Sequence, residues 1–333
     1  MKKRLLITLL LSSSLLLAAC GSNDKKESTS SSNKEVAEET ETVEYDWNDH
    51  HYVVDAVSGA TVEAPSDNEK TTMDEAEKEA KMHWSGRPKV GQVKGDYYRN
   101  EVVFNEGYTA VVDVVTSDSK IQLVEFDEIG PGDYYDGDWA GMNKRLSGYG
   151  YFQASKGRTD KTLVSIINTM TFLENQMIEE NRLDGTFKTA KGSSNSANEG
   201  FIPAANELAE EINTPSKETY YSITKDFGEG LFGRLTVIKN KEDNKITDFR
   251  YDEYFADTKD DIKDESLKKY VRQSKFYSKD YSSESGENFR EQATALTEKV
   301  VTDNSLDVDT SSLTFKDNLN DLIKEMNTLL SNN

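Results

Sequence analysis

Apolar and polar positions alternate most regularly between Gly107 and Glu128. Tyr108, Ala110, Val112 and Val114 fall on one face; after a turn at Ser117-Asp118-Ser119, Ile121, then Leu123 or Val124, and Phe126 resume it. A period of two bounded by turn residues predicts an antiparallel strand pair with one buried face. The layout returns further along the chain. Lys120 to Glu128 aligns with Lys245 to Glu253 at an offset of 125, apolar positions in register. With that offset kept, Val164, Ile167, Met170 and Leu173 fall near Phe289, Gln292 or Ala293, Thr294 or Ala295, and Leu296 to Lys299. This predicts one long helix in each copy. A third echo pairs Phe201 to Leu208 with Phe315 to Leu322. Three matches in the same order predict a tandem duplication.

Each copy reads as a hairpin or small antiparallel sheet, an irregular segment, a long helix, an extended connector and a closing helix. That is an α+β unit. Asn213-Thr214-Pro215-Ser216-Lys217 separates the copies, giving domains 91–213 and 217–333. Ahead of them, residues 45–90 read as a motif-bearing linker followed by an amphipathic helix from Thr71 or Thr72 to Met82, ended by Ser85-Gly86-Arg87-Pro88.

Composition changes the picture at the start of the chain. Lys2, Lys3 and Arg4 precede an apolar run from Leu5 to Leu17, shorter than the roughly 20 residues of a spanning helix. Leu17-Ala18-Ala19 then leads into Cys20, the single cysteine. This resembles a bacterial lipobox, which implies removal of residues 1–19 and acylation of Cys20 as the membrane anchor. Cleavage takes away three positive charges, so −21 becomes −24. That balance sets nucleic acid aside, because a phosphate backbone needs a positive face. A lone cysteine also predicts no intrachain disulfide. Residues 20–44 are polar and lack aromatics, and are expected to form a disordered tether.

Tyr45, Trp47, His50, His51 and Tyr52 follow, a segment able to dock or form a short strand. Two adjacent strand histidines point to opposite faces, so a shared metal is not expected. Asp55-Ala56-Val57-Ser58-Gly59-Ala60-Thr61 comes next. Its small residues leave the Thr61 hydroxyl unshielded; they also suit an ordinary tight turn. The heptad resembles the flavinylation motif of FMN-binding domain proteins, Asp-x-x-Ser/Thr-Gly-Ala-Thr, in full. The resemblance implies that an ApbE-type flavin transferase joins the FMN phosphate to Thr61, with Asp55, Ser58, Gly59 and Ala60 completing the cofactor site.

The pattern Gly-Tyr-Thr-x-Val-Val-Asp-Val, a turn, Lys-Ile and a strand ending Phe-Asp-Glu-Ile also resembles the repeated domain of the PplA-like lipoproteins. These are exported flavoproteins of Gram-positive bacteria used in extracellular electron transfer. In that family each domain carries its own acceptor motif before the closing helix. Here Asn198 stands at the acceptor position in Asn195-Ser196-Ala197-Asn198, and Leu313 stands there in the stretch Asp307 to Thr314. Both repeats depart from the family at the residue that forms the ester.

The remaining constellations add little chemistry. Ile129 to Trp139 offers glycines, acidic residues and flat aromatics, either a surface turn with half-buried rings or a stacking surface for a flavin; a calcium loop would need glutamate where Lys144 stands. Leu146 to Phe152 resembles the family's Gly-Tyr-Gly-Met loop in part, and packing is expected for Tyr151 and Phe152. No Ser-His-Asp arrangement or phosphate loop emerges.

The expectation is therefore a lipid-anchored flavoprotein on the outer face of the cell membrane, an electron carrier rather than a turnover enzyme. It would relay electrons from a membrane donor to extracellular acceptors through FMN on Thr61. The alternatives are a cofactor-free binding lipoprotein, or a precursor whose signal peptide is released as a pheromone.

Overall fold

The computed structural model describes residues 41–58, 83–155, 164–191, 193 and 195–331. The signal sequence, Cys20, the tether up to residue 40, the motif residues Gly59, Ala60 and Thr61, and the helix expected at 71–82 lie outside the described residues.

The architecture is α+β with two antiparallel sheets. The larger sheet has six strands: β3 (Gly91–Phe104), β4 (Tyr108–Ser117), β5 (Lys120–Ile129), β7 (Glu218–Gly228), β8 (Leu231–Asn240) and β9 (Ile246–Phe255), in the order β5-β4-β3-β7-β8-β9. The smaller is β1 (Glu41–Trp47), β2 (His50–Ser58) and β6 (Lys188–Ala190), with β2 in the middle. β1 begins inside the stretch read as tether.

The alternation read from the sequence is the burial pattern found. Ala110, Val112, Val114, Ile121, Val124 and Phe126 are buried on one face. The choice between Leu123 and Val124 is decided by a bulge. Val115 pairs with Leu123 and Thr116 with Ile121, so Gln122 is the extra residue and Val124 takes the core face. The same irregularity recurs in the second meander, where Ile238 pairs with Asp248 and Lys239 with Ile246, leaving out Thr247.

A long helix covers each meander. α2 (Ile166–Glu180) packs on β5 and α5 (Phe289–Asp303) packs on β9. Their buried positions match at an offset of 123 rather than 125: Ile166, Met170, Leu173 and Met177 correspond to Phe289, Ala293, Leu296 and Val300. Each helix ends on a left-handed asparagine, Asn181 (φ 52°) or Asn304 (φ 49°). Asparagine tolerates that conformation better than most residues. Each side chain then accepts a hydrogen bond from the start of the strand beneath, Ile121 N–H to Asn181 Oδ1 at 2.7 Å and Ile246 N–H to Asn304 Oδ1 at 2.7 Å. The closing helices occupy matching places. α3 (Ile202–Leu208), entered through a π turn at Ala197–Phe201, lies on β3 and β4; α6 (Lys316–Ser331) lies on β7 and β8. Two short helices, α1 (Tyr149–Ser155) and α4 (Tyr281–Ser285), precede the long ones.

The two meanders are not separate sheets. β3 pairs with β7 over Gly91 to Asp96 and with β4 from Asp96 to Phe104. The handover falls at Gly95, where a Cβ would stand 2.1 Å from the Thr116 carbonyl oxygen. Only glycine permits that approach. The sheet coils strongly, since Arg234 of β8 reaches Glu125 of β5 and Arg250 of β9 reaches Asp113 of β4. Loop strands close it further: Asn143 bridges to Ile129, Ser274 bridges to Tyr254, and Ser274 N–H donates to Leu146 O at 3.0 Å. Helices cover the outside of this coiled sheet; its inner face holds a small apolar cluster of Tyr97, Val115, Tyr220 and Ile238 and, beside it, a group of charged side chains.

Candidate functional site

The first half of the flavinylation-like heptad is a strand. Residues 55–58 end β2, the central strand of the small sheet: Asp55 pairs with Thr42, Ala56 with Glu41 and Ala190, Val57 with Thr189, and Ser58 with Lys188. Ala56 and Val57 are buried, whereas Asp55 and Ser58 are exposed. Asp55 O accepts from Lys191 N–H at 2.6 Å, and its carboxylate accepts weakly from Thr42 Oγ1 at 3.4 Å. The described part of the heptad is thus strand, anchored on both sides. Tyr45, Trp47, Tyr52 and Ala56 form a small core with Phe172 of α2 and Ala190, so the β1–β2 hairpin is part of the first half rather than a linker ahead of it.

The two histidines at the other end of β2 face opposite ways. His51 is exposed, and its hydrogen bond to Asp46 raises its pKa. His50 points to the buried Asp257, whose Oδ2 accepts from Ser85 Oγ at 2.8 Å and Arg87 Nε at 3.0 Å and lies 3.3 Å from His50 Nε2. The His83 ring stands edge-on to His50 with centroids 5.5 Å apart, and burial, then the neighbouring His50, lowers its pKa. These bonds tie β2 to both halves of the chain.

The two positions aligned with the family's acceptor take part in local turns and packing, Leu313 with its N–H on Thr310 O and its side chain against the second core. Asn198 lies in the π turn that opens α3, its N–H bonded to Asn195 O. Thr314 is exposed and its N–H donates to Gln292 Oε1 at 3.0 Å; the Thr310 hydroxyl, buried, donates to Asn320 Oδ1. The aromatic loop after β5 packs inward in part: Tyr134 and Trp139 are buried with Tyr149 and against Phe152, while Tyr135 is exposed. Lys144 sits over the rings of Tyr108, Tyr149 and Tyr134 at 4.4, 4.7 and 5.3 Å and pairs with Glu128 at 2.5 Å. Tyr151 packs against Trp84. Position 144, where a calcium loop would place a glutamate, is therefore a buried cation.

The inner face of the coiled sheet holds a second concave place, a cleft of about 510 Å³ between β5 and β9. Arg99, Asp113, Glu125 and Asp127 line it from the first half; Arg234, Asp248, Arg250, Asp252, Tyr254, Tyr277 and Arg290 line it from the second. Glu125 receives both Arg234 Nη atoms at 2.5 and 2.9 Å. Although burial opposes its charge, that guanidinium pulls the carboxyl down to about 2. Asp127 and Asp252 behave oppositely. Burial pushes each up to about 7, against hydrogen bonds from Glu128 N–H at Asp127 and from Ser274, Phe276 N–H and Glu253 N–H at Asp252. The two aspartates stand 125 residues apart, at matching steps of β5 and β9.

The sequence contained a signal for this cleft. Glu125 and Asp127, like Asp248, Arg250 and Asp252, alternate with the core positions of their strands. The same alternation describes a solvated face, and it takes the coiling of the sheet to turn that face inward. Compared with family models, with curated protein sequences and with solved structures, the chain shows no significant match.

Proposed function

We propose that this chain is a surface-anchored lipoprotein that relays electrons from the membrane to extracellular acceptors through FMN esterified to Thr61. The supporting observation is the complete Asp55-to-Thr61 heptad, whose described part is strand-held with Asp55 and Ser58 exposed. A strand paired on both sides, with Asp55 and Ser58 exposed, presents the first part of the motif to a transferase. The flavin supplies the redox chemistry; the protein supplies attachment, reach and orientation. Cys20 carries the lipid, and residues 20–40 give the flavin its reach from the membrane.

Tandem duplication belongs to the same reading. The matched bulges, the asparagine caps and the paired helix positions support descent of both halves from one FMN-binding-like unit, with Asn198 and Leu313 marking acceptors since lost.

The test is direct. Mature protein co-produced with an ApbE-type flavin transferase should absorb in the visible as a flavin and gain the mass of one FMN, and Thr61→Ala should abolish both. An unlabelled wild type, or a labelled Thr61→Ala protein, overturns the assignment.

A further inference from the structure

We propose that the cleft between β5 and β9 binds a small organic ammonium, a primary amine or diamine, anchored by Asp252. The inference stands apart from the flavin reading, because none of its residues belongs to the heptad. The argument begins with which charges in the cleft are already matched. Glu125 is bidentate with Arg234. Asp113 takes Arg99 at 2.9 and 3.0 Å and Arg250 at 3.3 Å, and Asp248 takes Arg250 Nε at 2.5 Å. Arg290 donates to the carbonyl oxygens of Phe276 and Ser278, at 2.7 and 3.3 Å. The arginines are thus spent on carboxylates and backbone, and a bound anion would compete with each of those partners.

Two carboxylates have no cationic side chain in hydrogen-bond reach among the described residues. Asp127 accepts from the N–H groups of Glu128 and Arg145 and from the Asn143 amide. Asp252 Oδ1 accepts from Glu253 N–H at 2.8 Å and Phe276 N–H at 3.0 Å, and the Ser274 hydroxyl also favours the carboxylate, but the buried Oδ2 has no donor in hydrogen-bond geometry. A buried acceptor without a donor is costly, and a group bringing N–H bonds together with positive charge satisfies it fully. Tyr277 lines the same wall, and the negative face of an aromatic ring favours a desolvated cation; the neighbouring Tyr254 ring already has Arg234 over it, 6.0 Å from the centroid. A bare metal ion is disfavoured: Asp252 Oδ1 and both Asp127 oxygens already face N–H donors, and the described residues contain no cluster of three or more metal-ligating side chains. The cleft volume suits a small molecule, and the net charge of −21 raises the local concentration of cations.

The experiment is calorimetric titration of the mature full chain at about 0.15 M salt, where surface charge is screened over about 8 Å. The probes are 1,4-diaminobutane, its uncharged analogue 1,4-butanediol, and the dianion succinate. The diamine should bind saturably and at least about tenfold more tightly than either analogue, a difference of about 1.4 kcal/mol. Asp252→Asn should weaken the diamine about tenfold or more with an unchanged circular dichroism spectrum, and Asp248→Asn, at an arginine-paired carboxylate, should change it less than about threefold. If Asp252→Asn fails to fold, Tyr277→Leu takes its place: removing that exposed ring should weaken the diamine several-fold. Butanediol or succinate binding as well as the diamine, no saturable heat up to about 10 mM, or undiminished affinity in the folded variants would each overturn the proposal.

Discussion

The two halves solve one packing problem with the same devices and then diverge at a helix back. α2 and α5 have the same length, the same asparagine terminus and the same buried stripe facing the sheet. On α5 that stripe is all that is buried, and the opposite side faces water. On α2 the opposite side is buried as well: Phe172 and Thr171 meet the β1–β2–β6 sheet, Asn168 donates to His83 O at 3.2 Å, and Thr169 is buried beside them. Phe172, fully buried, corresponds to Ala295, which is exposed. The first half has an additional layer, and that layer contains residues 55–58 of the heptad. Internal polar bonds accompany that layer, since the Tyr45 hydroxyl meets Thr171 Oγ1 at 3.2 Å and burial pushes the Tyr45 phenol up to about 12.

The comparison is most exposed at Phe172. Phe172→Ala should destabilise the chain by about 3–5 kcal/mol, the range for truncating a buried aromatic, whereas Ala295→Ser should stay within about 0.5 kcal/mol. Urea unfolding measures both, and similar losses at the two positions would end the claim that only α2 is covered. A smaller effect tests the likeness instead of the difference. Asn181→Ala and Asn304→Ala should each cost about 1–2 kcal/mol, from the lost hydrogen bond to the strand and a left-handed residue without asparagine's tolerance, Asn181 also giving up its exposed bond to Ser119 O at 3.2 Å. Values differing by more than about 1 kcal/mol would show that the two caps do unequal work.

The pH dependence probes the matched aspartates and is expected to be smallest. Asp127 and Asp252 have folded pKa values raised to about 7 from an ordinary 3.8. A group raised in the folded state binds its proton more tightly there. Its contribution is complete below pH 3.8 and fades as pH rises through about 7. After allowance for solvent screening this amounts to on the order of 1 kcal/mol for each site. Asp127→Asn and Asp252→Asn should each flatten the decline of stability between pH 4 and 7 by a similar amount; a curve unchanged in both variants would show that neither carboxyl titrates there.

Much of this fold was legible because period-two alternation and helical spacing respond directly to which face is buried. The strand pair at 108–126, its echo at 245–253 and both helix pairs could be read in that way. The two-residue drift between strand offset and helix offset was not, because loops absorb it without altering either pattern. Nor was the covering of α2. Asn168, Thr169 and Thr171 look like an exposed polar face in sequence, and their burial involves segments far earlier in the chain, Tyr45 of the hairpin against Thr171 and His83 against Asn168. The heptad was visible as a motif, but its strand depends on β6, three residues of which announce nothing by themselves. The cleft was the least legible feature, since a charged inner face and a charged outer face have the same spelling.

The handover of β3 from β7 to β4 at Gly95 bears on assembly. An isolated half would end in a bare strand, β3 or β7, with a row of unpaired N–H and C=O groups along it. The antiparallel meeting of β3 and β7 is the kind of contact two identical copies make across a two-fold axis. Within one chain the partner edge is always present, so joining the halves at Gly91–Asp96 and Thr219–Thr224 makes independent of concentration a seam that separate copies would form only by encounter.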